Sequence, residues 1–144
     1  MNTRAIAGCL AGVIVSLLIV GLVSGTALRH IIQVVPAGLA AVAVIRQDAW
    51  ARYAVLPIFG FWLLIMVLIW LFLFGVAKLF SGHFTPIEIV LTIIIGACSC
   101  GGIIASLRGR GGVKPSGWIL ALSASLVLQV LAMWVSFQRP FVRD

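Results

Sequence analysis

HIIQVVPAGLAAVAVI, residues 30–45, is the stretch whose reading sets the number of helices in this chain. It offers 16 uncharged positions between Arg29 and Arg46, and it contains Gln33 and Pro36. As a helix rising about 1.5 Å per residue it reaches only about 24 Å, short of the roughly 30 Å of hydrocarbon in a bilayer. It crosses if Arg29 and Arg46 extend outward to the headgroups. Otherwise it is a re-entrant or interfacial segment.

Around it stand four stretches without that ambiguity. Residues 5–28, 53–77, 89–107 and 115–138 are uncharged, with lengths of 24, 25, 19 and 24. A transmembrane helix needs roughly 20 apolar residues, so all four qualify, the third with the least margin. The expectation is an all-α integral membrane protein, a bundle of four to five transmembrane helices forming one domain over 1–144. The spans are placed at about 5–28, 54–77, 86–107 and 117–138, with the fifth at 31–46 left open.

Composition points the same way. Hydrophobic residues make up 63% of the chain and charged residues 9%, whereas soluble domains carry about 25% charged residues. Too little polar material exists to coat a soluble core. The net charge is +7, from ten Lys or Arg against three acids. In a soluble protein that balance suggests nucleic acid. Here the bases fall in gaps between apolar runs, where they meet lipid headgroups and set topology. The expected partner is therefore the lipid bilayer and not nucleic acid. Cys9, Cys98 and Cys100 lie inside apolar runs, an odd and buried set that forms no disulfide framework.

The loop charges orient the chain but do not count its spans. In either arrangement six bases fall on one side and four on the other, and the richer side is cytoplasmic by the positive-inside rule. Both put loops 46–53 and 108–116 inside and the C-terminus outside, in a bacterial inner (plasma) membrane. MNTR before a long apolar run reads as an uncleaved signal-anchor with its basic end inside, which favours five spans. SGTALRH, residues 24–30, is then the first external turn. Gly25-Thr26-Ala27 resembles a cleavage site, but the apolar run before it exceeds the usual h-region. Ile6-Ala7-Gly8-Cys9 looks like a lipobox with its apolar core on the wrong side. No internal repeat supports an inverted-repeat transporter.

Small residues mark where helix backbones approach in lipid. Gly8, Gly12 and Ser16 recur at four-residue spacing in the first span, followed by Gly21 and Gly25. Gly8 and Gly21 lie about 220° apart around a helix, so the two patches face different neighbours, one of them in a second copy if the chain is a homo-oligomer. Thr92, Gly96 and Cys100 form one stripe of the 86–107 span, and Ser99, Gly102 and Ser106 another. Ala121, Ser125 and Gln129 share one face of the last span. A mid-membrane Gln129 is expected to point inward to a partner. The 54–77 span is bulky almost all round, which places it at the bundle's edge. Trp50, Tyr53, Trp118 and Trp134 fall near span ends, as aromatic anchors do.

Few residues are equipped for chemistry. Glu88 is the acid nearest a span, and an intramembrane acid is a functional candidate. Its neighbours favour structure: Thr85-Pro86-Ile87-Glu88 is a capping box, with Thr at N-cap, Pro at N1 and Glu at N3. His30, His83 and Glu88 make at most a weak metal site in the five-span arrangement, without ligand spacing, and no metal is assigned. Asp48 and Arg52, four apart, support a helical lead-in. Arg108, Arg110 and Lys114 lie among glycines and suit anionic headgroups or an acidic partner.

No catalytic triad, HExxH, CxxC or phosphate loop is present in the sequence, and no cofactor is expected. The expected function is that of a small non-catalytic membrane protein, an accessory, assembly or structural subunit acting through helix packing. The alternative is a small oligomeric transporter or channel using Glu88 and Gln129. An enzyme acting on lipid or quinone ranks last.

Overall fold

A computed structural model describes residues 2–76, 84–108 and 114–138. Five α-helices and no strand occur among them: α1 (Thr3–Val23), α2 (Ala27–Ile45), α3 (Ala51–Leu73), α4 (Pro86–Leu107) and α5 (Pro115–Ser136). Each of the five is long and apolar enough to cross a membrane. The fold is an all-α membrane bundle.

The open stretch resolves as part of a full helix. α2 has 19 residues, about 28 Å at 1.5 Å per residue, because it starts one turn before the uncharged run and takes in Arg29 and His30. The Arg29 guanidinium lies over the Phe137 ring, 4.4 Å from its centroid, which lets a charge sit at the end of an apolar helix. Pro36 lies buried inside α2 without ending it, as neighbouring helices permit for proline in lipid. The first span is correspondingly shorter than 5–28. α1 stops at Val23, and Gly25 adopts φ +69° in the turn that follows, a conformation that glycine reaches without strain. Residues 24–26, not 24–30, form that turn.

The helices close into a ring in the order α1, α2, α5, α3, α4 and back to α1, with α2 and α3 also touching across it. Gly12 faces Cys98 and Gly101 faces Cys9, so α1 and α4 run antiparallel. Tyr53, near the start of α3, packs against Trp118, near the start of α5, at 6.2 Å between ring centroids. α3 and α5 therefore run parallel. These directions gather Arg4, Arg46, Arg52, Arg108 and Lys114 at one end of the bundle. Arg29 and Glu88 lie at the other.

α3 is not at the edge. It contacts α2, α4 and α5 and buries Val55, Ile58, Phe59, Trp62 and Met66 along one face. Its bulk is complementary to the small residues of α4. A Cβ on Gly102 would stand 2.3 Å from the Phe59 ring, and one on Gly96 would stand 3.3 Å from Trp70. Large side chains on one helix can serve close packing as well as small ones when the partner supplies the space. The outward residues of α3, such as Leu64 and Val67, still face lipid. The helical lead-in expected from Asp48 and Arg52 is shorter than their spacing suggested. α3 begins at Ala51, Asp48 lies in the preceding turn, and the Arg52 guanidinium lies over the Tyr53 ring.

Candidate functional site

Two kinds of position carry the sequence-based expectations: the small residues of the helix seams, and the polar residues at the Glu88 end.

The seams use Gly12, Ser16, Gly21 and Gly96. A Cβ on Gly12 would meet Cys98 Sγ at 2.6 Å, and one on Gly21 would meet His30 Cβ at 2.9 Å. Gly12 thus faces α4 and Gly21 faces α2, and Ser16 is buried between. Gly8 differs. It is exposed, and nothing lies within 4 Å of where its Cβ would stand. Gly25 is a turn residue and not a packing one.

Polar side chains tie neighbouring helices of the ring. Gln33 Nε2 donates to Ser136 Oγ at 2.9 Å, joining α2 to α5. Trp70 Nε1 donates to Thr92 Oγ1 at 3.0 Å, joining α3 to α4. Ser125 Oγ donates to the Ala54 carbonyl, joining α5 to α3. Gln129 points inward and is 0% exposed, but neither its amide nitrogen nor its oxygen has a hydrogen-bond partner among the described residues. The expected partner is absent there. The side chain is held by packing alone.

At the other end, Glu88 completes the capping box. Thr85 N and Oγ1 donate to Glu88 Oε2 at 2.7 and 2.8 Å, and Glu88 N donates to Thr85 Oγ1 at 3.3 Å. Pro86 starts the helix. The motif read from TPIE is therefore the motif that folds, and it fixes where α4 begins.

Glu88 also lines a vestibule of about 170 Å³ that receives residues from all five helices. Arg29, His30 and Gln33 come from α2, Trp62 and Met66 from α3, Thr92 from α4, Leu17 from α1 and Met133 from α5. His30 Nδ1 lies 3.1 Å from the Thr26 carbonyl oxygen. A carbonyl only accepts, so Nδ1 carries the proton in that contact. Two nitrogens of the lining residues, Arg29 Nε and Trp62 Nε1, are buried and have no hydrogen-bond partner among the described residues. Gln129 is not among the lining residues, so Glu88 and Gln129 do not share a cavity.

Sequence reasoning missed this vestibule. Arg29, Gln33 and Thr92 carry no motif, and only the closure of the ring brings them to Glu88. No group of three or more metal-ligand side chains occurs among the described residues; His83 lies outside them. Of the basic loop, Arg108 caps the end of α4, Lys114 precedes α5, and both are exposed, while Arg110 lies outside the described residues.

No protein-family model matches the chain, and neither a curated protein nor a solved structure matches it.

Proposed function

We propose that this chain is a non-catalytic membrane subunit, an accessory or assembly component that works by packing a helix face against another membrane protein or a second copy of itself. Gly8 carries the reading. Gly12, Ser16 and Gly21 are used inside the bundle, whereas Gly8, beside exposed Ala11, presents an uncovered backbone to the outside of α1. In lipid, small residues are where a second helix comes close. The bonds from Gln33, Trp70 and Ser125 support the same reading, because they spend the polar groups of the bundle on holding helices together. The bundle sits in a bacterial inner membrane with its Arg- and Lys-rich end in the cytoplasm, by the positive-inside rule.

The test is association in mild detergent. Native mass spectrometry should show a defined oligomer or a co-purifying membrane protein, and Gly8→Ile should disrupt it while Gly8→Ala largely preserves it. Recovery of the wild-type chain as a bare monomer would overturn the proposal.

One observation favours a second reading, a small transporter or channel: Glu88 faces a cavity lined from every helix. Glu88→Gln in a proteoliposome flux assay tests it. Unchanged flux removes the acid from any such mechanism.

A further inference from the structure

We propose that the vestibule is a binding site for a small amphiphilic monoanion, an oxyanion carried on a short apolar body. This inference is independent of both readings above.

The charge is the first reason. Arg29 lines the vestibule, forms no ion pair among the described residues, and stacks its guanidinium on the Phe137 ring. Its Nε is buried without an acceptor. A cation at the edge of an apolar bundle is stabilised by an opposite charge. Glu88 does not supply it. That carboxylate lines the same cavity, but it is turned to Thr85, from which its Oε2 accepts two hydrogen bonds, and it forms no ion pair with Arg29 among the described residues.

The second reason is an unpartnered donor on Trp62, a residue of the cavity wall. Trp62 is 2% exposed, and its Nε1 has no acceptor. An indole N–H only donates, and a buried donor without a partner is unfavourable. Arg29 and Trp62 therefore both call for an acceptor, and none of the bonds described above provides one.

The lining sets the body of the ligand. Most of the wall is apolar, Leu17, Ile65, Met66, Ile69 and Ile95 among it, which suits an apolar chain and disfavours a fully hydrated inorganic ion. The volume of about 170 Å³ equals that of about five or six waters at roughly 30 Å³ each. A short-chain carboxylate has comparable bulk. Glu88 on the same wall disfavours a dianion by like-charge repulsion. The same chemistry can be presented by a free carboxylate or by the headgroup of a lipid with a net negative charge reaching in from the leaflet.

The experiment reads the indole N–H of Trp62 by NMR in nanodiscs of phosphatidylcholine. Trp62→Phe assigns the resonance, and Trp70, bonded to Thr92, is the internal marker of the folded bundle. Hexanoate should shift the Trp62 signal saturably, and hexanol, with the same body and no charge, should do so at least ten-fold more weakly. Arg29→Gln should weaken the hexanoate response about ten-fold or more, the loss of one charge-assisted contact. A parallel arm replaces hexanoate with phosphatidylglycerol in the nanodisc. A response there identifies the lipid source, and a response to hexanoate alone identifies the free anion. A Trp62 signal unmoved in both arms overturns the proposal. An equal response to hexanol, or an undiminished one in Arg29→Gln, overturns the anionic part. The comparison of hexanoate with hexanol uses the wild-type chain, so it stands even if Arg29→Gln does not fold.

Discussion

The ring of Phe59 occupies the place where a side chain at residue 102 would begin: a Cβ on Gly102 would stand 2.3 Å from Phe59 Cε2 and Cζ. Both residues are buried. Lipid tails are as apolar as the side chains, so helices gain little from hydrophobic burial here and rely on close contact. The pair therefore sets how near α3 and α4 come.

Gly102→Ala is expected to destabilise the bundle by about 1–3 kcal/mol, the usual effect of overpacking. Phe59→Leu in the same chain should recover part of that loss. Unfolding of the purified protein by SDS titration measures both. Additive effects of the two substitutions would show that the residues do not compete for the same space.

The capping box gives a sharper expectation for Glu88. Glutamine serves as well as glutamate at the third helical position, so Glu88→Gln should change stability little. Thr85→Ala, which removes both the hydroxyl donor and the hydroxyl acceptor, should lower it by about 0.5–2 kcal/mol. Hydrogen exchange at Ile87, Glu88 and Ile89 should rise in Thr85→Ala. If Glu88→Gln proves the more damaging of the two, the carboxylate does more than start a helix.

Gln129 is expected to be a site of gain. Its amide is fully buried and without a partner among the described residues, and an unsatisfied buried polar group costs about 1–3 kcal/mol. Gln129→Met, close in shape and without the amide, should raise the melting temperature in detergent. A fall would mean that the amide is satisfied by a group that the fold alone does not supply, such as a partner helix.

Ser136→Ala removes the acceptor of Gln33 Nε2, 2.9 Å away, and leaves a buried amide donor with only the Met133 sulfur at 3.2 Å. The loss should be about 0.6 kcal/mol and no more than roughly 1.7, the range for hydrogen bonds between membrane helices. Gln33→Leu with Ser136→Ala should restore most of it. SDS titration of the single and double variants completes the cycle.

If all five helices cross, the two ends of the bundle's chain lie on opposite faces of the membrane. A reporter fused at the N-terminus should report the cytoplasm, and one at the C-terminus should report the other side. Both reporters on the same side would mean that one of the five helices does not cross, and the two sides exchanged would mean that the bundle is inverted.

How much was legible in the sequence depended on how local the signal was. The start of α4 is written in four consecutive residues, and Pro86–Leu107 is the span read from them. α2 was ambiguous because a charge was taken as a boundary. Arg29 lies inside the helix instead, its guanidinium over Phe137, a residue more than a hundred positions away. The position of α3 could not be read at all from its own residues. Phe59 and Trp70 look like lipid-facing bulk until Gly102 and Gly96 are set against them. The vestibule is less visible still, since its polar residues are ordinary near helix ends and become a site only when the ring closes.

The order of helices around that ring has a bearing on synthesis. α1 touches α2 and α4, and α5 touches α2 and α3, so only the α1–α2 hairpin and the modest α2–α3 contact can form before the fourth helix has left the ribosome. Until then Gly12 and the Phe59 face of α3 await a partner. Each newly inserted helix must then hold its place in lipid by its own hydrophobicity, until α5 packs against both α2 and α3 and closes the ring. A chain that stops before Pro115 would leave uncovered the faces of α2 and α3 on which α5 packs, Gln33 and the Ala54 carbonyl among them.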